Sequence, residues 1–439
     1  MIRDCNAQPE LLNILIKGNK IEAISPEWMR ADVEHDFSGR LLLPGFVQSH
    51  VHLCQTLFRG IADDLSLLEW LKKRIWPLEA SHDADSTYWS AMLGCVEMLR
   101  GGVTTACVME SVRNANQTAE AIEHSGLRAL FGKAMMDFSD TPQELGGVPR
   151  AFIETTEESM SESVALMKRW DNSCEGRIRY VFAPRGILTT SEELLHRITA
   201  LSKKTGVLLH THACESAAET KLVKERRGNT EIKYLQKMGA FQGKWLLAHG
   251  VTADDEDIEI LSENHVNLAH CPSTNLKLGS GVAPIAKFIK KGVNVGLASD
   301  GAPANNNLDI FTEMRLAALL AKGVSHDPTA LPAKDVLNMA TQAGANALGL
   351  GDTIGSLEPG KRADLVALDL EDSSLVPAPC NAALVVYSGS KNLVRDVMVD
   401  GNWIIRNKEF VSVDEAEVRE KARISMKRVL DRFERGINI

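Results

Sequence analysis

The 439-residue sequence predicts an α/β protein: eight strand-and-helix units, with a small β domain split between the two ends of the chain. Three observations carry this. Short apolar, β-rich runs alternate with longer helical stretches, the runs number eight, and turn-punctuated β-rich segments return after the last of them. Strands that alternate with helices pair in parallel through crossover connections, and eight units are the number that closes a (β/α)8 TIM barrel. An open doubly wound sheet has the same periodicity and stays open as the alternative.

The elements follow in chain order. Ile14 to Ile24, ILIKGNKIEAI, sets two β-prone runs around Gly18-Asn19 and predicts a hairpin. The eight barrel strands are expected at 45–52, 103–109, 127–134, 177–184, 206–212, 244–249, 265–270 and 293–299. Leu308 to Ala321 and Ala333 to Leu350 are helical by pattern, and the β-rich stretches IGSLEPGKRADLVALDL and LVRDVMVDGNWIIRNKEF come next. Neither 1–44 nor 352–410 can bury a core alone, so the two are expected to form one small domain beside a barrel of 45–351. The terminal segment 411–439 carries a charged helix, Val413 to Arg435, expected to pack on the barrel.

Composition narrows the function. A hydrophobic content of 44% supports a sizeable core, and a net charge of -9 disfavours nucleic acid and anionic membrane, both of which need clustered Lys and Arg. The eight cysteines include no C-x-x-C pair and read as reduced thiols. The sequence has no apolar leader after Met1 and no long uncharged apolar stretch, so a cytoplasmic location is expected.

Catalytic groups in such barrels sit at the C-terminal ends of the strands. His50 and His52 end the first run, His212 the fifth, His249 the sixth and His270 the seventh, while Asp300 follows the eighth. His50 and His52 alternate with Val51, so both side chains share a face. A lone His-x-His equally suits an ordinary polar strand end; convergence of six groups on one rim favours metal. His210 shares the face of His212 one layer deeper and reads as a hydrogen-bonded core histidine. Glu215, three residues beyond His212, is an acid/base candidate. Asp300 on its own would equally suit an Asx turn. Three histidines and a carboxylate suit zinc or a similar divalent ion, with Cys54 and Cys214 as packing residues. No lysine ends the fourth run, so one metal is expected rather than a lysine-bridged pair.

The ordered set PGFVQSHVHL, THACE, LLAHG, AHCPSTNLKLGSG and ASDGAPANNNLDIFTEMRLAALL resembles the amidohydrolase superfamily, in its branch of aminopurine deaminases and chlorohydrolases. The resemblance runs from about Ile14 to Glu409. It implies a TIM barrel with a small β-sandwich drawn from both termini, and one divalent metal, zinc or alternatively iron, on His50, His52, His212 and Asp300. It further implies Glu215 as the proton shuttle and His249 as the residue that orients the water, with Asp300 also taking a proton. His270 lines the site or serves as a structural residue in the HCPSTN turn; both readings stay open.

The same resemblance extends to substrate. HVHLCQTLFRGIADDLSLLEWLKKRIWPLEA and DGAPANNNLDIFTEMRLAALLAK are similar to deaminases of 5'-deoxyadenosine, methylthioadenosine, S-adenosylhomocysteine and adenosine. There a glutamate at Glu79 accepts from ribose hydroxyls; a surface glutamate is the plain alternative. Asn307 is a second polar candidate for the ribose. Gln55 and Arg185 resemble guanine deaminases instead, so guanine, 8-oxoguanine, a pterin or an s-triazine is the alternative substrate class. Lys133 stands where S-adenosylhomocysteine-type enzymes have an arginine, which argues against a bound homocysteine carboxylate. The expected partner is a small-molecule purine or related heterocycle, with neither nucleic acid nor membrane, and the protein is expected to be a homo-oligomer.

Overall fold

The computed structural model describes residues 1–139 and 148–435. A hairpin of β1 (Asn13–Lys17) and β2 (Lys20–Ser25) opens the chain, followed by β3 (Arg40–Pro44). Eight strands then form one parallel sheet in sequence order: β4 (Phe46–Val51), β5 (Val103–Glu110), β6 (Arg128–Met135), β7 (Ile178–Pro184), β8 (Leu208–Ala213), β9 (Trp245–His249), β10 (Asn267–His270) and β11 (Val295–Leu297). Each lies inside or within a residue of its predicted run.

The open-sheet alternative is excluded by the neighbourhood of the first and last strands. Just past β11, Asp300 N–H donates to the His50 carbonyl at 3.2 Å, and Ser299 N–H donates to Gln48 Oε1 at 2.8 Å. Gly296 makes this approach possible, because a Cβ there would stand 2.0 Å from Ser49 Oγ. The sheet therefore curls until its edges meet, and the eight strand ends become a ring.

The predicted helix 333–350 is two helices, Ala333–Met339 and Gln342–Ala347. The break at Thr341 lets the Ala340 carbonyl accept from Val47 N–H at 2.8 Å and brings Gly344 against Val47, so the pair seals the barrel seam.

β3 joins β12 (Leu365–Asp369), β13 (Val394–Val399), β14 (Asn402–Arg406) and β15 (Glu409–Phe410) in an antiparallel sheet of order β15-β14-β13-β12-β3. The β1–β2 hairpin packs on it through Ile21, Leu42, Leu365 and Met398. The helix Glu415–Glu434 lies on the barrel, burying Ala422 and Val429 against Leu57, Phe58 and Leu78. Among the described residues, no helix is long and apolar enough to cross a membrane.

Candidate metal centre and active site

At the end of β4 the pleat sends His50 and His52 to one side, with ring centroids 4.7 Å apart. Second groups fix each ring. His52 Nδ1 lies 2.7 Å from the Met109 carbonyl and His212 Nδ1 lies 2.6 Å from the Arg185 carbonyl. His50 Nδ1 lies 2.7 Å from His210 Nε2, whose own Nδ1 lies 2.9 Å from the Leu246 carbonyl. A carbonyl only accepts, so each Nδ1 donates and each ligand Nε2 keeps its lone pair. His210 is thus the hydrogen-bonded core histidine read from the sequence, and it also holds His50 in place.

The freed nitrogens converge. His52 Nε2 and His212 Nε2 approach to 3.1 Å, and Asp300 Oδ1 stands 3.3 Å from His50 Nε2 and 3.4 Å from His52 Nε2. His50, His52 and His212 offer ligand atoms within 4.8 Å of one another, and so do His50, His249 and Asp300. His50 Nε2 is buried with no hydrogen-bond partner among the described residues. Two lone pairs facing each other at 3.1 Å are repulsive unless a cation accepts both, and burial lowers the pKa of His52 to about 3, which keeps it in the neutral form a metal requires. Nitrogen and carboxylate donors of this kind fit a divalent metal.

Around this point the strand ends leave the sheet in left-handed conformations: φ is 55° at Cys214, 81° at His249 and 61° at Asp300. Non-glycine residues adopt that region at a cost of about 1–3 kcal/mol each, and such strain concentrates at functional sites. His249 Nδ1 is 3.1 Å from Asn275 Oδ1, so the HCPSTN turn orients His249, whose Nε2 lies 3.5 Å from Glu215 Oε2. His270 is buried at the end of β10 with Nδ1 unpartnered among the described residues, and burial pushes it down to about 3.

Two carboxyls here are driven apart. Burial, and then the charge of Asp300, push Glu215 well above the ordinary carboxylate range. Burial also opposes ionisation of Asp300, but positive charge on the side of His50, His52 and His249 outweighs it and holds Asp300 well below that range. Paired groups displaced in opposite directions are the mark of an acid and a base sharing one site.

A cavity opens over these groups. Leu67, Leu68, Trp70, Leu71, Trp76 and Leu188 form its apolar wall, and Gln55, Arg185, Thr189 and Glu219 add polar atoms beside Glu215. Gln55 sits on a 3-10 turn, Leu53–Phe58, whose Leu53 and Cys54 N–H groups donate to Glu110 at 3.1 and 3.2 Å. Sequence reasoning missed Glu219, one helical turn past Glu215 and so available from i, i+4 spacing. It also missed Trp70 and Trp76, whose indole N–H groups are buried and unpartnered among the described residues.

Of the residues expected to bind substrate, Gln55, Arg185 and Glu215 line the cavity, whereas Glu79 and Asn307 do not. Glu79 is not a surface residue either: it is 3% exposed and ion-paired with Arg185. Lys133 is fully buried, its Nζ 2.5 Å from Glu154 and 2.6 Å from Glu162.

A closed eight-stranded α/β barrel with histidines and carboxyls gathered at its C-terminal rim defines a barrel enzyme of the metal-assisted kind. The amidohydrolase family model matches residues 41–404, and the chain belongs to that family. A 5'-deoxyadenosine deaminase of Methanothermobacter thermautotrophicus is 40% identical over 412 residues, 93% of each chain. A 5-methylthioadenosine/S-adenosylhomocysteine deaminase of Pelotomaculum thermopropionicum is 36% identical over 424 residues, 95% of this chain and 94% of the other. The crystal structure of an adenosine deaminase from Xanthomonas campestris with bound zinc superposes with a TM-score of 0.86 at 32% identity, covering 96% of this chain and 94% of that one.

Proposed function

We propose that the protein is a metal-dependent hydrolytic deaminase of an adenosine-type nucleoside, converting it to the inosine analogue and ammonia. The observation that carries this reading is the convergence of three histidine Nε2 atoms and Asp300 beside Glu215, whose carboxyl burial pushes well above the ordinary range, in a cavity walled by Leu and Trp. His50, His52, His212 and Asp300 would hold one divalent ion, zinc in preference to iron. When bound, such an ion acts as a Lewis acid and lowers the pKa of water from 15.7 to roughly 7.

The residues divide the remaining work. Asp300, ionised, accepts a proton, and Glu215, protonated, delivers one to a ring nitrogen of the purine. His249, held by Asn275, points Nε2 into the site and orients the attacking water. Water adds at the carbon bearing the amine, and the amine departs as ammonia. The apolar wall excludes bulk water and suits the purine and an uncharged 5' group. Lys133 and Arg185 are both occupied by glutamates, which favours 5'-deoxyadenosine, methylthioadenosine and adenosine over S-adenosylhomocysteine with its carboxylate. The reading includes a cytoplasmic homo-oligomer; exposed Leu11, Trp28 and Val33 on the small domain support self-association, which sedimentation would test.

The test is ammonia release by metal-replete protein from 5'-deoxyadenosine, methylthioadenosine, S-adenosylhomocysteine, adenosine, guanine, 8-oxoguanine, a pterin and an s-triazine. Chelation should abolish the activity and zinc restore it. Turnover of guanine or a triazine alone would remove the nucleoside part of the proposal, and no ammonia from any compound would remove the whole.

A further inference from the structure

We infer that Glu313 is a positioning residue of the active site: one buried carboxylate, set behind the rim, fixes the turn that carries Asn275 relative to the loop that carries Asp300. This rests on the deaminase reading for what the two loops do, while the contacts that fix them are independent of it. Glu313 stands in the first turn of the helix Ile310–Ser325, is fully buried and does not line the cavity. A carboxylate buried in this way must be satisfied by donors. Its Oε2 accepts from Ser273 N–H at 3.1 Å, and its Oε1 accepts from Asn305 Nδ2 at 2.8 Å.

Each donor leads to a different part of the site. Ser273 lies at the start of the short helix Pro272–Lys277, whose N-cap residue Cys271 makes no side-chain capping bond and whose Pro272 has no N–H. Ser273 N–H is therefore the first donor of that helix, and Glu313 supplies from another helix the cap that the local sequence lacks. Two residues further on, Asn275 Oδ1 lies 3.1 Å from His249 Nδ1. On the other arm, Asn305 Nδ2 also donates to the Ser299 carbonyl at 2.8 Å, which Thr274 Oγ1 reaches at 3.4 Å. Ser299 directly precedes Asp300, so the same carboxylate anchors the residue from which Asp300 enters the site. His249 and Asp300, together with His50, offer atoms within 4.8 Å of one another, and that spacing is held by a group that touches neither. The charge state of the side chain matters as much as its shape. A carboxylate accepts at both oxygens, whereas an amide accepts at one end and donates at the other, so a glutamine here could serve Ser273 or Asn305 but not both.

Steady-state kinetics separate positioning from plain stabilisation. For Glu313→Gln, kcat should fall by roughly 10–100-fold, the usual effect of removing an orienting partner, while KM stays close to that of the wild type because the cavity wall is untouched. A lower Tm with unchanged kcat would make Glu313 a stabilising residue alone and overturn the inference. Asn305→Ala severs one arm and leaves Glu313 in place; kcat should fall again, and full activity in that folded variant would count against positioning even if Glu313→Gln did not fold. Glu313→Ala combined with Asn275→Ala should lose less than the product of the two separate losses, since both act through His249, and losses that multiply in full would contradict the shared route. Crystal structures of wild type and Glu313→Gln supply an arm independent of turnover. The separation of His249 Nε2 from Asp300 should change in the variant, and an unmoved pair would refute positioning even if the wild type deaminates no nucleoside.

Discussion

Glu215 is the residue on which the proton chemistry turns. A buried carboxyl beside the ionised Asp300 stays protonated where an exposed glutamate would not, and only the protonated form can donate to a purine nitrogen. Because its pKa is raised, the active form predominates below that pKa and is lost as pH rises through it. A kcat/KM profile should accordingly descend on its alkaline side from Glu215, and a profile that rises through that limb would contradict the assignment. Glu215→Gln keeps the shape but not the proton; kcat should fall at least 10²-fold, in the range typical of general acid–base groups, with metal content by elemental analysis unchanged. Retained activity would transfer the role elsewhere. Glu215 was legible in the sequence because THACE ties it to a strand end. The burial of Glu79 was not, because a glutamate on a helix carries no local mark of whether it faces solvent or an arginine just past a strand over a hundred residues away.

Among the elements, the meeting of β4 and β11 has the most direct bearing on the site, since His50 comes from the first and Asp300 follows the second. Gly296 is required there for space: its Cβ would fall 2.0 Å from Ser49 Oγ and 3.2 Å from Gly344 Cα. Gly296→Ala should therefore push the strands apart at a cost of about 1–3 kcal/mol, the usual price of overpacking. Calorimetry should show a lower Tm, and dialysed protein should retain less metal, because the carboxylate and the histidine separate. An unchanged Tm with full metal would show that the seam has slack. All eight strands could be read from apolar runs bounded by turns, but β11 is only three residues long where the apolar pattern extends over 293–299. The chain leaves the ladder after Ala298, whose N–H still donates to the His270 carbonyl, and Ser299 and Asp300 bond to Gln48 and His50 instead; such cross-seam bonds leave no periodic trace.

At the scale of the molecule, the antiparallel sheet docks at the end of the barrel opposite the catalytic rim. Arg128, at the start of β6 and 2% exposed, donates to Asp364 at 2.7 and 3.0 Å and to Asp400 at 3.1 Å, and Arg362 completes the group with a 2.9 Å bond to Asp400. Removing one member of a buried ion network strands the others, at a cost of about 3–5 kcal/mol. Arg128→Ala should lower the thermal midpoint seen by circular dichroism while the folded fraction keeps its KM, since the rim is untouched. A changed KM with an unchanged midpoint would mean that this network serves the site rather than the docking. The periodicity of strands and helices, the count of eight and the placement of His50, His52, His212, His249 and Asp300 at strand ends were determined by the sequence alone, because each depends on local alternation and spacing. Closure of the barrel, the union of β3 with β12, the tautomers of the histidines and the capture of Glu79 by Arg185 were decided only by tertiary structure. Each of these is a contact between residues distant in the chain, and a one-dimensional pattern carries no term for the distance between them.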